Sequence, residues 1–217
     1  MARQAPTRDR LVRTAGELFW SQGYAGTGVS LIIERARATS GSFYHFFATK
    51  DDLLLAVLDE VADNLEAVLS AAAAAAAAPV DRVARLADAY RQSLEGRPPS
   101  FGLPLGSLTG ELGSDHADAR ARLAGLVEVL VSRVEGWLAE AADTLPAAAD
   151  PRRLAEQVVA SLEGAAAMAR AGGDAGILDR VAAELGRRLE PEAAGPGFRN
   201  RPAPARRDSD ALDWRAW

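Results

Sequence analysis

The sequence predicts an all-α protein: a small N-terminal three-helix helix-turn-helix domain followed by a larger helical domain. Three observations predict it. Apolar residues recur at three- and four-residue spacing through most of the chain, where a strand would alternate. Three helix-start residues, Thr27, Thr39 and Thr49, stand close together. Residues 23–54 then compress two short helices and the start of a third into one stretch.

The first helix is expected over residues 7–22. Leu11, Ala15, Leu18 and Phe19 fall at i, i+4, i+7 and i+8 and so share a face. Thr7 is its expected cap, and Gly23 its end, because glycine enters the left-handed region without a Cβ clash. A second helix is expected after Thr27, whose hydroxyl can reach the amides of Val29 or Ser30. Val29, Ile32, Ile33 and Ala36 form its inner face. Arg37 and Ala38 make a tight turn, Thr39 caps again, and a third helix covers 40–46. That helix is too short and polar for a core. It presents Ser40, Ser42, Tyr44 and His45 around Phe43 and Phe47, a pattern suited to a DNA groove.

Thr49 caps the fourth helix, with Asp52 placed for a capping box and Asp51 favourable against the helix dipole. Leu53, Leu54, Val57, Leu58, Val61, Leu65 and Leu69 give it a long apolar stripe, ending in an alanine run before Pro79. Further helices are expected over 81–94, 105–112, 118–142, 152–170 and 177–189. The seventh turns Leu123, Leu126, Val127, Leu130, Val134, Trp137 and Leu138 inward. The expected organisation is a DNA-binding domain over 1–50 and a helical ligand-binding and dimerisation domain over 51–190. Residues 191–217, rich in Pro, Gly, Arg and Asp, read as a disordered tail.

The chain has 217 residues and no cysteine, which excludes disulfides, thiol nucleophiles and thiolate metal sites. No stretch of about 20 apolar residues lacks charge, so the expectation is a soluble, cytoplasmic protein with no membrane span. The net charge is −5 but uneven. Residues 1–50 hold seven Lys+Arg against three Asp+Glu; the remainder holds eighteen against twenty-seven. A basic unit on an acidic body fits a local DNA footprint. All basic residues but Lys50 are arginine. The two histidines, His45 and His116, lie far apart in sequence, so neither a metal nor a cofactor site is expected. Glu111, Asp115 and His116 form a polar trio, but no nucleophile, metal set or phosphate loop accompanies them, and no catalytic residue is assigned.

Phe19, Gly23, Tyr24, Thr27, Val29, Ile32, Ala36, Gly41, Phe43, Tyr44, Phe47, Lys50 and Leu53, at this spacing, resemble the DNA-binding domain of TetR-family transcriptional regulators. The resemblance covers about residues 8–57. It implies a homodimeric, ligand-responsive regulator, in most such cases a repressor, whose third helices enter the major grooves of a pseudo-palindromic double-stranded DNA operator. It marks Ser40, Ser42 and His45, with Arg37, as base-reading candidates, and Thr27, Thr39, Tyr44 and Lys50 as phosphate candidates. Two residues depart from the family pattern. Arg37 stands where the family usually has glycine, and Phe46 where it often has a polar, phosphate-facing His or Tyr. Residues 101–112 resemble the sixth-helix element of one subgroup, in which a cysteine often follows the glycine; Leu103 takes that place here.

The resemblance also implies a cavity for a small-molecule inducer. Its candidate lining is Tyr90, Phe101, Leu105, Leu108, Trp137 and Met168, with Thr109 or Glu111 at its edge. Few aromatics and many alanines and leucines make the expected inducer small and largely apolar. The last two helices resemble the family's dimerisation pair, with Leu154, Val158, Ser161, Leu162, Ala165 and Ala169 on one and Leu178, Val181, Leu185 and Leu189 on the other. The competing reading is a helical small-molecule-binding protein that does not bind DNA.

Overall fold

The computed structural model describes residues 6–96, 102–145 and 149–189. The predicted tail and the lining candidate Phe101 lie outside them. The described residues contain helices and no strand: α1 (Thr7–Gln22), α2 (Val29–Arg35), α3 (Ser40–Phe46), α4 (Lys50–Ala75), α5 (Pro79–Leu94), α6 (Gly106–Thr109), α7 (Ala117–Glu140), α8 (Pro151–Gly172) and α9 (Gly176–Leu189). Short 3-10 turns precede α7 and follow it, at Ser114–His116 and Ala142–Thr144. The all-α expectation holds.

The N-terminal unit is built on α1, which packs against α2, α3 and the start of α4. Its inner side carries two stripes. Leu11, Ala15 and Phe19 form the expected one; Val12, Gly16 and Trp20 form a second at i, i+4 and i+8. Phe43 and Phe47 close the unit from α3. α4 then runs on into the body, where it packs against α5 and α7. Every residue of its expected stripe is buried. Around it, α8 lies on α7 and α9, and α5 lies on α9. No helix among the described residues is long and apolar enough to cross a membrane.

Several local expectations are corrected. Thr7 is the first helical residue and not a cap; Pro6 precedes it, and the Thr7 hydroxyl accepts from Arg10 instead. α2 starts after Gly28, with no side-chain cap, because the Thr27 hydroxyl turns inward to donate to the Gly23 carbonyl at 2.7 Å. Gly23 has the expected positive φ (84°), but its ψ of 158° is extended, outside the left-handed helical well. α6 is only four residues long, because the backbone of its expected second half turns away after Thr109. On α8, Val158, Leu162, Ala165 and Ala169 are buried within the chain's own core, not on an outer face. Leu178, Leu185 and Leu189 of α9 are likewise inside.

The Thr49 capping box is complete: the Thr49 hydroxyl accepts from Asp52 N–H at 3.0 Å, and the Asp52 carboxylate from Thr49 N–H at 2.9 Å. Asp150 caps α8 through the amides of Arg152 and Arg153, with Pro151 at the first position.

If α4 carries the shared core, its middle residues matter most. Leu58→Ala, at a site with no exposure, should cost about 2–5 kcal/mol, read by urea unfolding. Val129→Ala, at an exposed position of α7, should stay within about 0.5 kcal/mol of wild type.

Candidate nucleic-acid interface

α3 is a single helix of seven residues, too short to persist alone. Three attachments hold it. Phe43 and Phe47 anchor its inner side, with rings 6.0 Å apart. Thr39 caps it, accepting from Ser42 N–H at 3.1 Å. Arg10 of α1 donates to the Ala36 carbonyl at 3.2 Å, tying α1 to the turn that feeds α3.

Advancing about 100° per residue from Phe43 places Gly41 and His45 on a ridge opposite the buried side, with half-buried Ser42 about 100° away at one flank. Tyr44 and Phe46 flank that ridge on its two sides. Tyr44 is 62 % and Phe46 40 % exposed, which for aromatic side chains on one short helix marks a face made for contact. Ser40, Thr39 and Arg37 are exposed beside it. The Ser42 hydroxyl is half-buried and lies 2.9 Å from that of Thr39, so the cap also fixes the orientation of a base-reading candidate. A Cβ at Gly41 would meet only the Thr39 hydroxyl, at 3.9 Å, so the glycine keeps the ridge low and allows close approach to base edges.

Arg37 adopts φ 50°, the left-handed conformation that glycine takes without strain. Its departure from the family pattern thus has a measurable backbone consequence.

One phosphate candidate loses that role, and another gains a second, structural one. Thr27 is completely buried and its hydroxyl is engaged, so its side chain has no surface to offer a phosphate. Lys50 reaches back across the unit. Its ammonium donates to the carbonyls of Tyr24 at 2.8 Å and Thr27 at 3.0 Å, and lies 3.9 Å from the Tyr24 ring centre. Lys50 is therefore a staple between the α1–α2 turn and the start of α4, with two of its three donors used. Partial burial lowers its pKa below the usual lysine range, against the opposing charges of Asp51 and Glu111. The Tyr24 hydroxyl donates to the Asp51 carboxylate. Burial, then that hydrogen bond and charge, push its pKa up, so it stays protonated.

Of the lining candidates, Tyr90, Leu105 and Leu108 have no exposure and Trp137 has 3 %. Met168 is 62 % exposed, since α8 turns Leu162, Ala165, Ala166 and Ala169 inward and leaves it outside; it lines no interior. Glu111 also lies elsewhere than expected. It faces the N-terminal unit, accepting from Ala25 N–H at 3.0 Å. Sequence reasoning missed Arg10, Trp20 and Glu163. Only Trp20 carried a signal, the second stripe of α1. The Glu163 carboxylate accepts from the Tyr90 hydroxyl at 2.6 Å across the body, a pairing no local pattern announces.

Residues 11–57 match the family model for bacterial regulatory proteins of the tetR family, and residues 79–185 that for the tetracyclin repressor-like C-terminal domain. The chain is 31 % identical over 158 residues to the transcriptional regulator AcuR of Cereibacter sphaeroides, covering 71 % of this chain and 72 % of AcuR. The chain belongs to the TetR family. It is a DNA-binding transcriptional regulator, not an enzyme. An uncharacterized HTH-type transcriptional regulator of Mycobacterium tuberculosis is 28 % identical over 183 residues, covering 82 % of this chain and 91 % of its own. Among solved structures, the regulatory protein TetR from Rhodobacter sphaeroides superposes with a TM-score of 0.77 at 28 % identity, over 85 % of this chain and all of that one. A TetR regulator from Chloroflexus aurantiacus gives 0.72 at 26 %, over 83 % and 92 %.

Two substitutions separate structure from contact in this TetR unit. Arg37→Gly should raise stability by about 0.5–1 kcal/mol, the strain of a left-handed side-chain residue less the extra unfolded-state entropy of glycine. Lys50→Ala should lower stability by roughly 1–2 kcal/mol in the absence of DNA, because two charge-assisted bonds go. Thermal unfolding of both variants checks the signs; an unchanged midpoint for Lys50→Ala contradicts the staple.

Proposed function

We propose that the protein is a homodimeric, ligand-responsive repressor. Each α3 enters one major groove of a pseudo-palindromic operator. The observation that carries this is the exposed ridge of Gly41 and His45, with Ser42 and Tyr44 on its two sides and an aromatic core behind it. Ser40, Ser42 and His45 read base edges, and Arg37 reaches the same face from the preceding turn. Thr39, Tyr44 and the third N–H of Lys50 take phosphates. The excess of basic residues in the first fifty supports the same face.

Dimerisation uses the outer side of α8 and α9. Leu154, Gln157, Ser161, Gly164 and Met168 recur there at three- and four-residue spacing, none of them fully buried in the single chain. A groove of about 350 Å³ lies beside them, lined by Leu154, Gln157, Val158, Ala160, Ser161, Leu185, Arg188 and Leu189. A face of small and apolar residues, exposed in one chain, suits an isologous four-helix packing. The inducer is a small, largely apolar molecule that enters among Tyr90, Leu105, Leu108 and Trp137. The Tyr90 hydroxyl and Glu163 offer it one polar handle. An inducer that releases DNA must bind the DNA-bound dimer less tightly by the same factor.

A gel shift on the region upstream of its own gene tests the regulator directly. Affinity should fall steeply with salt, with a logarithmic slope of roughly −0.9 per phosphate contacted. Lys50→Ala should flatten that slope by about one unit. A shift insensitive to salt, or none at all, would leave a helical ligand-binding protein. Ala160→Arg, at an exposed groove position, should give folded monomers by light scattering; a dimer unchanged by it places the interface elsewhere.

A further inference from the structure

Glu111 and His116 have no part in the reading so far, yet both meet the N-terminal unit. Besides accepting from Ala25 N–H, Glu111 fills the space beside Gly23: a Cβ there would stand 2.5 Å from its carboxylate oxygen. His116 Nε2 lies 3.6 Å from the Asp51 carboxylate, and its ring meets Tyr24 edge-on at 5.2 Å. Just upstream, the Trp20 indole N–H donates to the Pro104 carbonyl at 3.2 Å, a buried bond. One stretch between α5 and α7 thus touches α1, the α1–α2 turn and the start of α4.

The same stretch is bound on its other side by the body. The Glu163 carboxylate accepts from the amides of Leu105 at 2.9 Å and Gly106 at 2.8 Å. Tyr90 donates to the same carboxylate, and the Ser93 hydroxyl donates to the Leu103 carbonyl at 2.6 Å. Arg170 reaches Ser107 at 2.9 Å. Residues 103–111 are therefore held by α5 and α8 on one side and by the N-terminal unit on the other.

Covalently, that unit joins the body only through the start of α4. Apolar packing along α4 tolerates sliding; a second tie made of directional hydrogen bonds fixes the angle. The angle matters because two α3 helices must meet two grooves at one separation. We propose that residues 103–111 are a strut that sets the angle of the DNA-binding unit, with Glu111 as its positioning residue and Glu163 as the counter-anchor. The inference rests on the DNA-binding reading and adds to it the residues that hold the reading helix in place.

The chain lacks cysteine, so Glu34→Cys on α2 and Ala139→Cys on α7, both exposed, give a unique spin-label pair. Labelled chains diluted into unlabelled protein report the distance within one chain. The otherwise native protein should give one narrow distribution. Glu111→Ala should broaden it and weaken binding to the selected operator by roughly tenfold, with the thermal midpoint unmoved. Glu111→Gln should keep the distribution narrow, since its amide oxygen still accepts from Ala25. Glu163→Ala should broaden the distribution as well, and the double variant should be no worse than the more affected single one. Should Glu163→Ala not fold, Glu163→Gln, which sets an NH2 against one of the two amides, takes its place with the same expectation. Narrow distributions in both Ala variants, additive effects, or a Gln variant as broad as Ala would overturn the strut. If the native chain selects no DNA, the regulator reading falls, and the distance distributions still decide the strut by themselves.

Discussion

A helix of seven residues has no stability of its own in water, and the DNA contact proposed for this protein depends on one. The surroundings of α3 follow from that constraint. Phe43 and Phe47 bury its inner side, Thr39 satisfies its first amides, and α1 reaches over through Arg10 to hold the turn before it. The Lys50 staple then locks the α1–α2 turn onto the start of α4. What is left outside, a ridge of small polar groups between two exposed aromatics, is rigid because nothing beneath it can move independently. Rigidity lets weak hydroxyl and imidazole contacts discriminate, since a contact fixed before binding loses little entropy in forming.

The same economy of contacts governs the joint between the N-terminal unit and the body. The buried apolar stripe of α4 makes the two share a core, but the polar bonds at their border are few and specific. Tyr24, Asp51, His116, Glu111 and Ala25 meet there within one patch. A carboxylate on one side and a backbone amide on the other define an angle better than apolar packing, which tolerates sliding.

Helix existence was legible in the sequence wherever periodicity was strong. The stripe of α4, the cap at Thr39 and the capping box at Thr49 all follow from residue type and spacing. The left-handed conformation of Arg37 was signalled only by the family resemblance, which puts a glycine at that position. What a side chain does when two local roles compete was not legible. Thr27 was expected to cap α2 and meet a phosphate, but its buried hydroxyl donates to the Gly23 carbonyl instead. Lys50 pointed to DNA by position, yet its stem folds back over Tyr24. The faces of α8 were misread because an alanine-rich helix is nearly uniform all round, so small residues do not tell inside from outside; only packing against α7 and α9 decides it. Glu111 and Glu163 were invisible as partners of distant amides, since a carboxylate on a helix reads by default as solvated.

The central claim is that the α3 ridge reads DNA sequence. The most direct measurement is selection from a random duplex library by the full chain and by its His45→Ala variant. The account predicts that the native protein enriches a pseudo-palindrome. The variant should change preference at the same position in both halves and leave the half-site spacing intact. A native protein that enriches no sequence, or a variant that returns the identical motif, would contradict it.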